Sequence, residues 1–126
     1  MTLLMPAVLI VEDEALVREV AAAEFTDAGF VVIEAGDGAS ALAHLDPDAA
    51  IDVLFTDIRL PGTLDGWAIA RYARSVHQAL PVIYVTGFAG DGLAMVEGGH
   101  FVGKSYRPTA IVATARALIA GATVGG

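Results

Sequence analysis

Cysteine is absent from this 126-residue chain, which excludes disulfides and thiolate metal sites and agrees with the cytoplasmic localisation expected here. Basic residues are scarce as well: seven Lys and Arg stand against fifteen Asp and Glu, a formal net charge of −8. Nucleic-acid backbones are held by clustered cations, so no direct nucleic-acid partner is expected, although an acidic surface can still meet a basic one on another protein. Long apolar runs are also missing. The stretch near the start is broken by Pro6 and the C-terminal one by Arg116, so neither gives the ~20 residues of a spanning helix, and no membrane partner is expected. No basic segment precedes Leu3-Leu4, which argues against a signal peptide.

What is present is apolar: 56% of residues, above the usual globular share. That excess fits a sheet covered on both faces, whose strands read as continuous apolar runs. The length suits one domain with a single core, residues 1–126, packed over about 7–120 and ending in a frayed glycine-rich tail, 121–126. An initiating Met1 just ahead of the first strand favours an independent protein.

Strand and helix alternate five times. Val8-Leu9-Ile10-Val11 reads as strand one. Glu14 to Ala28 then carries Val17, Ala21, Phe25 and Ala28 at helical spacing, with Gly29 where a glycine would end the helix. Phe30 to Ile33 reads as strand two. Asp37-Gly38 opens a helix through Ala41, Leu42 and Leu45 that stops before Pro47. Ile51 to Thr56 reads as strand three, and Asp65 as the N-cap of a helix with Trp67, Ala70 and Ala73 inward. Strand four spans Pro81 to Thr86, and strand five His100 to Gly103. Pro108 opens a last helix with Ile111, Ala115, Leu118 and Ile119 on one face. Residues 87–99 hold five glycines, each costing a helix about 1 kcal/mol relative to alanine, so the fourth helix of the alternation is expected to be short or irregular.

The strand ends carry the chemistry. Strand one ends in Glu12-Asp13, strand three in Thr56-Asp57, strand four in Thr86-Gly87 and strand five in Lys104. In an open parallel α/β sheet these ends open onto one crevice, where ligands bind. Three carboxylates there repel one another unless a hard cation joins them, and Mg²⁺ prefers such oxygen ligands. Thr86 can donate its hydroxyl to a phosphoryl oxygen and Lys104 can neutralise another, which completes the parts that phosphoryl transfer requires.

These residues resemble the receiver domain of two-component response regulators, over about Ala7 to Ala120. The carriers are Val8 to Glu14, Leu54 to Gly62, Asp65-Gly66, Val85-Thr86-Gly87 and Lys104, in that order and at strand ends. The resemblance implies a flavodoxin-like, doubly wound (βα)5 fold with a five-stranded parallel sheet of order 2-1-3-4-5. It implies that Asp57 is the phosphoacceptor, taking a phosphoryl group from a sensor histidine kinase or phosphotransfer protein. Asp13 and Asp57 would ligate Mg²⁺ directly, with Glu12 acting through water and the Arg59 backbone carbonyl as a further ligand. Thr86 and Lys104 would grip the phosphoryl group. Thr86 and Phe101 would form the switch that alters the surface read by a downstream protein partner. On this reading the chain assists its own phosphorylation and dephosphorylation and is not a turnover enzyme on an external substrate.

Three departures stand against the family's pattern. Ser105 follows Lys104 where the family has a proline after a cis bond. A cis bond before a non-proline residue costs about 2.5–4 kcal/mol, so the junction is either trans, with a different approach of the lysine, or strained. Pro61 to Gly66 is one residue longer than the common loop. The glycine-rich segment puts the usual output face in doubt, and it is similar to a subgroup of stand-alone receivers with a threonine-glycine-aromatic turn.

Read singly, the same residues allow plainer roles. Asp57 could cap a turn, Thr86 could be a turn residue, Phe101 plain core and Arg59 an exposed loop residue. Trp67 reads as packing, and His44, His77 and His100 as surface residues without metal-ligand spacing. Competing functions are a degenerate receiver that binds partners without phosphorylation and the detached receiver of a hybrid kinase. An aspartyl-phosphate hydrolase of the haloacid dehalogenase type is disfavoured because Arg59 stands where its second acid belongs. A flavodoxin is disfavoured because Glu12-Asp13-Glu14 would repel a flavin phosphate.

Overall fold

The computed structural model describes residues 5–87, 96–104 and 106–125. Five parallel strands, β1 (Ala7–Val11), β2 (Val31–Ala35), β3 (Val53–Asp57), β4 (Val82–Thr86) and β5 (His100–Gly103), lie in the order β2-β1-β3-β4-β5. Helices α1 (Ala15–Asp27), α2 (Gly38–Ala43), α3 (Gly66–Val76) and α4 (Pro108–Gly125) cover the two faces. The flavodoxin-like order expected from the sequence is the one observed. Residues 88–95 lie outside the described residues, and the expected short or irregular helix between β4 and β5 falls largely on them.

Successive side chains of a strand point to opposite faces, so an unbroken apolar run feeds two cores. Leu9, Val11, Leu54, Val82 and Tyr84 pack with Ala41, Leu45, Ile69, Ala70 and Ala73 of the α2 and α3 side. Val8, Ile10, Val53, Phe55, Ile83 and Val85 pack with Ala21, Phe25, Ile111 and Ala115 of the α1 and α4 side. Every residue of β1 and β3 is buried, including Thr56 and Asp57.

Local chemistry fixes the element ends. Asp37 and Asp65 cap α2 and α3, each accepting from the backbone N–H three residues on, Ser40 at 2.8 Å and Ala68 at 2.9 Å. Two backbone bonds end α1, from Gly29 N–H to Thr26 O and from Phe30 N–H to Phe25 O, with Gly29 at φ +93°. These are the bonds of a Schellman motif, and its hydrophobic contact is the edge-to-face pair Phe25–Phe30 at 4.9 Å.

That motif corrects the expected second strand. Phe30 closes α1 and so cannot open β2, which starts at Val31 and runs on to Ala35 because Glu34 and Ala35 pair with Ile10 and Val11. The third strand also begins later than expected, at Val53. Asp52 instead spans to the chain start, its N–H donating to Ala7 O and its carboxylate accepting from Ala7 N–H at 2.7 Å. Helix α4 continues to Gly125, past Gly121, where the core was expected to give way to a frayed tail. A single interior glycine costs a helix only about 1 kcal/mol, too little to end one this rich in alanine.

Gly66, the first residue of α3, sets how closely that helix approaches the end of β3. Its N–H donates to Ile58 O at 2.8 Å. A Cβ at this position would lie 2.3 Å from Asp57 O and 2.8 Å from Ile58 Cα, and backbone cannot swing aside as a side chain can. Overpacking costs about 1–3 kcal/mol, and a clash at 2.3 Å with fixed backbone belongs in the upper half of that range, above the ~1 kcal/mol that alanine offers a helix over glycine. Gly66→Ala is therefore expected to lower stability by roughly 1–2 kcal/mol, read from the urea unfolding midpoint. An unchanged or raised midpoint would contradict this account.

Candidate functional site

The carboxyl ends of the strands bring the expected residues together. Lys104, one residue past β5, places Nζ 2.9 Å from Asp57 Oδ2, 3.2 Å from Glu12 Oε1 and 3.9 Å from Glu14 Oε1. Its N–H donates to Thr86 O at 2.8 Å, which ties the end of β5 to the end of β4. One carboxylate oxygen from each of Glu12, Asp13 and Asp57 lies within 4.8 Å of the others. Glu12 and Asp57 are both only 5% exposed, whereas Asp13 faces solvent. A cleft of about 310 Å³ opens over the group, lined among others by Asp13, Asp57, Arg59, Thr86 and Lys104.

The electrostatics follow from crowding and burial. Burial pushes the Glu12 carboxyl above its ordinary range, and the charge of Asp57 adds to the shift. The Glu14 N–H, donating to Glu12 Oε2 at 3.1 Å, and Lys104 pull the other way without overcoming it. For Lys104, burial alone would lower the ammonium's pKa, but Asp57 and then Glu12 outweigh it and raise it above the usual lysine range. The lysine is thus a fixed positive charge at neutral pH. Burial also raises the Tyr106 phenol, helped by Glu12; its ring packs edge-to-face on Phe55 at 5.8 Å.

An all-oxygen donor set around one point suits a hard divalent cation such as Mg²⁺. Carboxylate oxygens of Glu12, Asp13 and Asp57 already converge within 4.8 Å of one another, so the residues present fit the metal.

A family model described as "Response regulator receiver domain" matches residues 8–116. The chain belongs to that family. The receiver domain's fold superposes on a response regulator receiver protein from Sinorhizobium medicae with a TM-score of 0.89 at 29% identity, covering 94% of this chain and 97% of that one. It is also similar to chemotaxis response regulator CheY4 of Vibrio cholerae, with a TM-score of 0.80 at 26% identity and coverages of 91% and 99%. In sequence, the sensory transduction protein RegX3 of Mycolicibacterium smegmatis is 34% identical over 119 residues, 91% of this chain and 51% of that protein. The probable transcriptional regulatory protein SilR of Salmonella typhimurium is 39% identical over 79 residues, 63% of this chain but 34% of its own length. The chain thus spans a third to a half of these two relatives.

Receiver domains bind Mg²⁺ at an acidic pocket and interact with histidine kinases or phosphotransfer proteins, and this receiver domain carries the acidic group at Glu12, Asp13 and Asp57. No helix among the described residues is long and apolar enough to cross a membrane. Phe101 is half-buried, with its ring 5.5 Å from Tyr84 and 5.7 Å from Trp67. Trp67 packs on Tyr84 at 4.8 Å, as its reading as a packing residue requires. Ser105 lies outside the described residues, and with it the geometry of its junction with Lys104.

Arg18 is a residue the sequence reading passed over. Its Nη1 donates to the backbone carbonyl of Glu12 at 2.7 Å and its Nε to Glu34 Oε1 at 3.2 Å. A signal was available: a cation within four residues of a helix start opposes the helix dipole, so it needs another reason to be there.

A carboxyl held above its ordinary range is more stable in the fold while protonated. That contribution is lost as pH rises from the unfolded carboxylate value through the raised folded one. Without divalent cation, Glu12→Gln should gain stability relative to the parent as pH rises across that window, read from urea midpoints over a pH series. A flat difference, or one that shrinks with pH, would show that the fold does not disfavour the charged form of Glu12.

Proposed function

We propose that this receiver domain accepts a phosphoryl group on Asp57 from a histidine kinase or phosphotransfer protein, and that the modified state selects a protein partner. The observation that carries the reading is the 2.9 Å pair between Lys104 Nζ and Asp57 Oδ2 beside Glu12 and Asp13. It joins a nucleophile, a fixed positive charge and a cation-binding group in one cleft.

In the transfer, an Asp57 carboxylate oxygen attacks phosphorus in line with the bond to the donor imidazole. The new O–P bond forms as the P–N bond breaks, and the electron pair leaves with the imidazole nitrogen, which takes up a proton. Asp13 and Asp57 would hold Mg²⁺, with Glu12 through water and the Arg59 carbonyl as a further ligand. The metal, when bound, supplies positive charge to the phosphoryl oxygens. Lys104 meets the charge that passes from the Asp57 carboxylate to the phosphoryl group, and the Thr86 hydroxyl donates to one of its oxygens. Because the phosphoryl group stays on the chain until hydrolysis, the domain is a signalling component and not a turnover enzyme.

A protein donor suits the surface. On α1, which starts two residues beyond Asp13, Leu16 and Val20 stand exposed one turn apart, at 78% and 57%, an apolar stripe that a macromolecular partner can cover. The switch residues would be Thr86 and Phe101, with Phe101 packed against Tyr84 and Trp67.

Intact mass spectrometry after incubation with acetyl phosphate, and separately with a phosphorylated kinase, tests the reading. A gain of one phosphoryl group that requires Mg²⁺ and vanishes in Asp57→Asn is the expected result. No gain from either donor in folded protein would sink it in favour of phosphorylation-independent partner binding.

A further inference from the structure

Glu12 is held at four points. Its N–H donates to Ala35 O at 3.1 Å, its two carboxylate oxygens accept from Glu14 N–H and Lys104 Nζ, and its backbone carbonyl accepts from Arg18 Nη1 at 2.7 Å. The first three belong to the sheet edge and to the acidic cluster itself. The fourth comes from a side chain near the start of α1 whose other hydrogen-bond partner is Glu34, outside the cluster. Arg18 is in turn fixed by Glu34 on β2 at 3.2 Å, and its side chain is only 22% exposed. Gly36, just beyond β2, leaves room for it, since a Cβ there would press to 3.3 Å from Arg18 Nη1. Guanidinium, β2 carboxylate and Glu12 carbonyl thus form a brace across the turn that carries Glu12 and Asp13.

We propose that Arg18 is a positioning residue for divalent-cation binding. By anchoring the Glu12 carbonyl to β2 it sets the direction of the β1–α1 turn, and so the convergence of the Glu12 and Asp13 carboxylates on Asp57. The inference rests on the cation site proposed above. Partners that orient metal ligands from behind are worth about 10–100-fold in metal affinity, and Arg18 acts through one backbone carbonyl, at the lower end of that range.

The sign of the effect separates positioning from mere proximity. A bystander cation repels a divalent ion, so its removal would tighten binding. Loss of a brace loosens it. Mn²⁺ binding to the full chain, followed by the loss of free-ion electron paramagnetic resonance signal and repeated with Mg²⁺ as competitor, reads this directly and needs no phosphoryl donor. Arg18→Gln is expected to weaken Mn²⁺ binding about 10-fold. Arg18→Lys, which keeps the charge but cannot fork to both Glu12 O and Glu34, should fall between that variant and the parent. Unchanged or tighter binding in Arg18→Gln overturns the proposal, and so does parental affinity in Arg18→Lys should Arg18→Gln fail to fold. If the parent chain itself binds no Mn²⁺, the cation site falls and the positioning role with it, an outcome distinct from equal binding by parent and variant.

Discussion

Asp57 is buried at the end of a buried strand, and an ammonium 2.9 Å away makes that placement tenable. A carboxylate taken so far out of water costs several kcal/mol unless a charge partner and hydrogen bonds return the loss. Lys104 serves Asp57 and Glu12 at once, and reaches toward Glu14. One ammonium among that many carboxylates leaves the cluster negative, and burial, with the Asp57 charge adding to it, holds the Glu12 carboxyl above its ordinary range. A phosphoryl group would bring further negative charge into the cleft, and Asp13 and Asp57 would hold the cation that offsets it.

The sheet makes this crowding possible by holding the strand ends rigidly. β1 and β3 are neighbours at the centre of the sheet and are buried along their whole length, with Val11 opposite Thr56. The residues that follow in each chain, Glu12-Asp13 and Asp57, therefore have little freedom to move apart. Parallel strands covered on both faces by helices share this property generally. The glycine at 66 adds to this by letting α3 start against the Asp57 carbonyl itself. Apolar packing from both sides thus provides the rigidity that the polar end uses.

Much of this was legible in the sequence because it is written in side-chain type and spacing. The apolar runs mark the strands, the acids and the lysine at their ends mark the crevice, and Asp37, Asp65 and Gly29 mark helix ends. The misplaced strand starts depend on backbone partners. Phe30 reads as the first residue of an apolar strand, but its N–H is needed to close α1, so β2 starts later. Asp52 sits inside an apparently apolar run, but its carboxylate holds the N–H of Ala7, so β3 starts at Val53. Arg18 has Glu14 at helical spacing, but its side chain goes elsewhere, to a carbonyl and to a carboxylate on β2 that spacing along α1 does not show. A periodicity reading registers side chains and is blind to where main-chain donors and acceptors end up.

The register of β4 and β5 bears on how a change at the site could travel. Tyr84 pairs with Phe101 and Thr86 with Gly103, and Lys104 N–H closes on Thr86 O. Tyr84 and Thr86 are two residues apart on one strand and so share a face. The buried Tyr84 ring, in contact with Phe101 and Trp67, thus lies directly behind the hydroxyl proposed to meet the phosphoryl group. Its own hydroxyl accepts from Val96 N–H at 3.0 Å, which extends the connection toward the start of β5. Packed interiors respond to displacement by switching between discrete arrangements and not by bending smoothly. A phosphoryl group that draws on Thr86 and Lys104 together would therefore pull on adjacent strands that already share this aromatic contact. It can bias that contact only by the difference in its interaction with the two arrangements. Such a difference would arise here because the two residues proposed to grip the phosphoryl group sit within two or three positions of the rings, at the ends of strands hydrogen-bonded to each other.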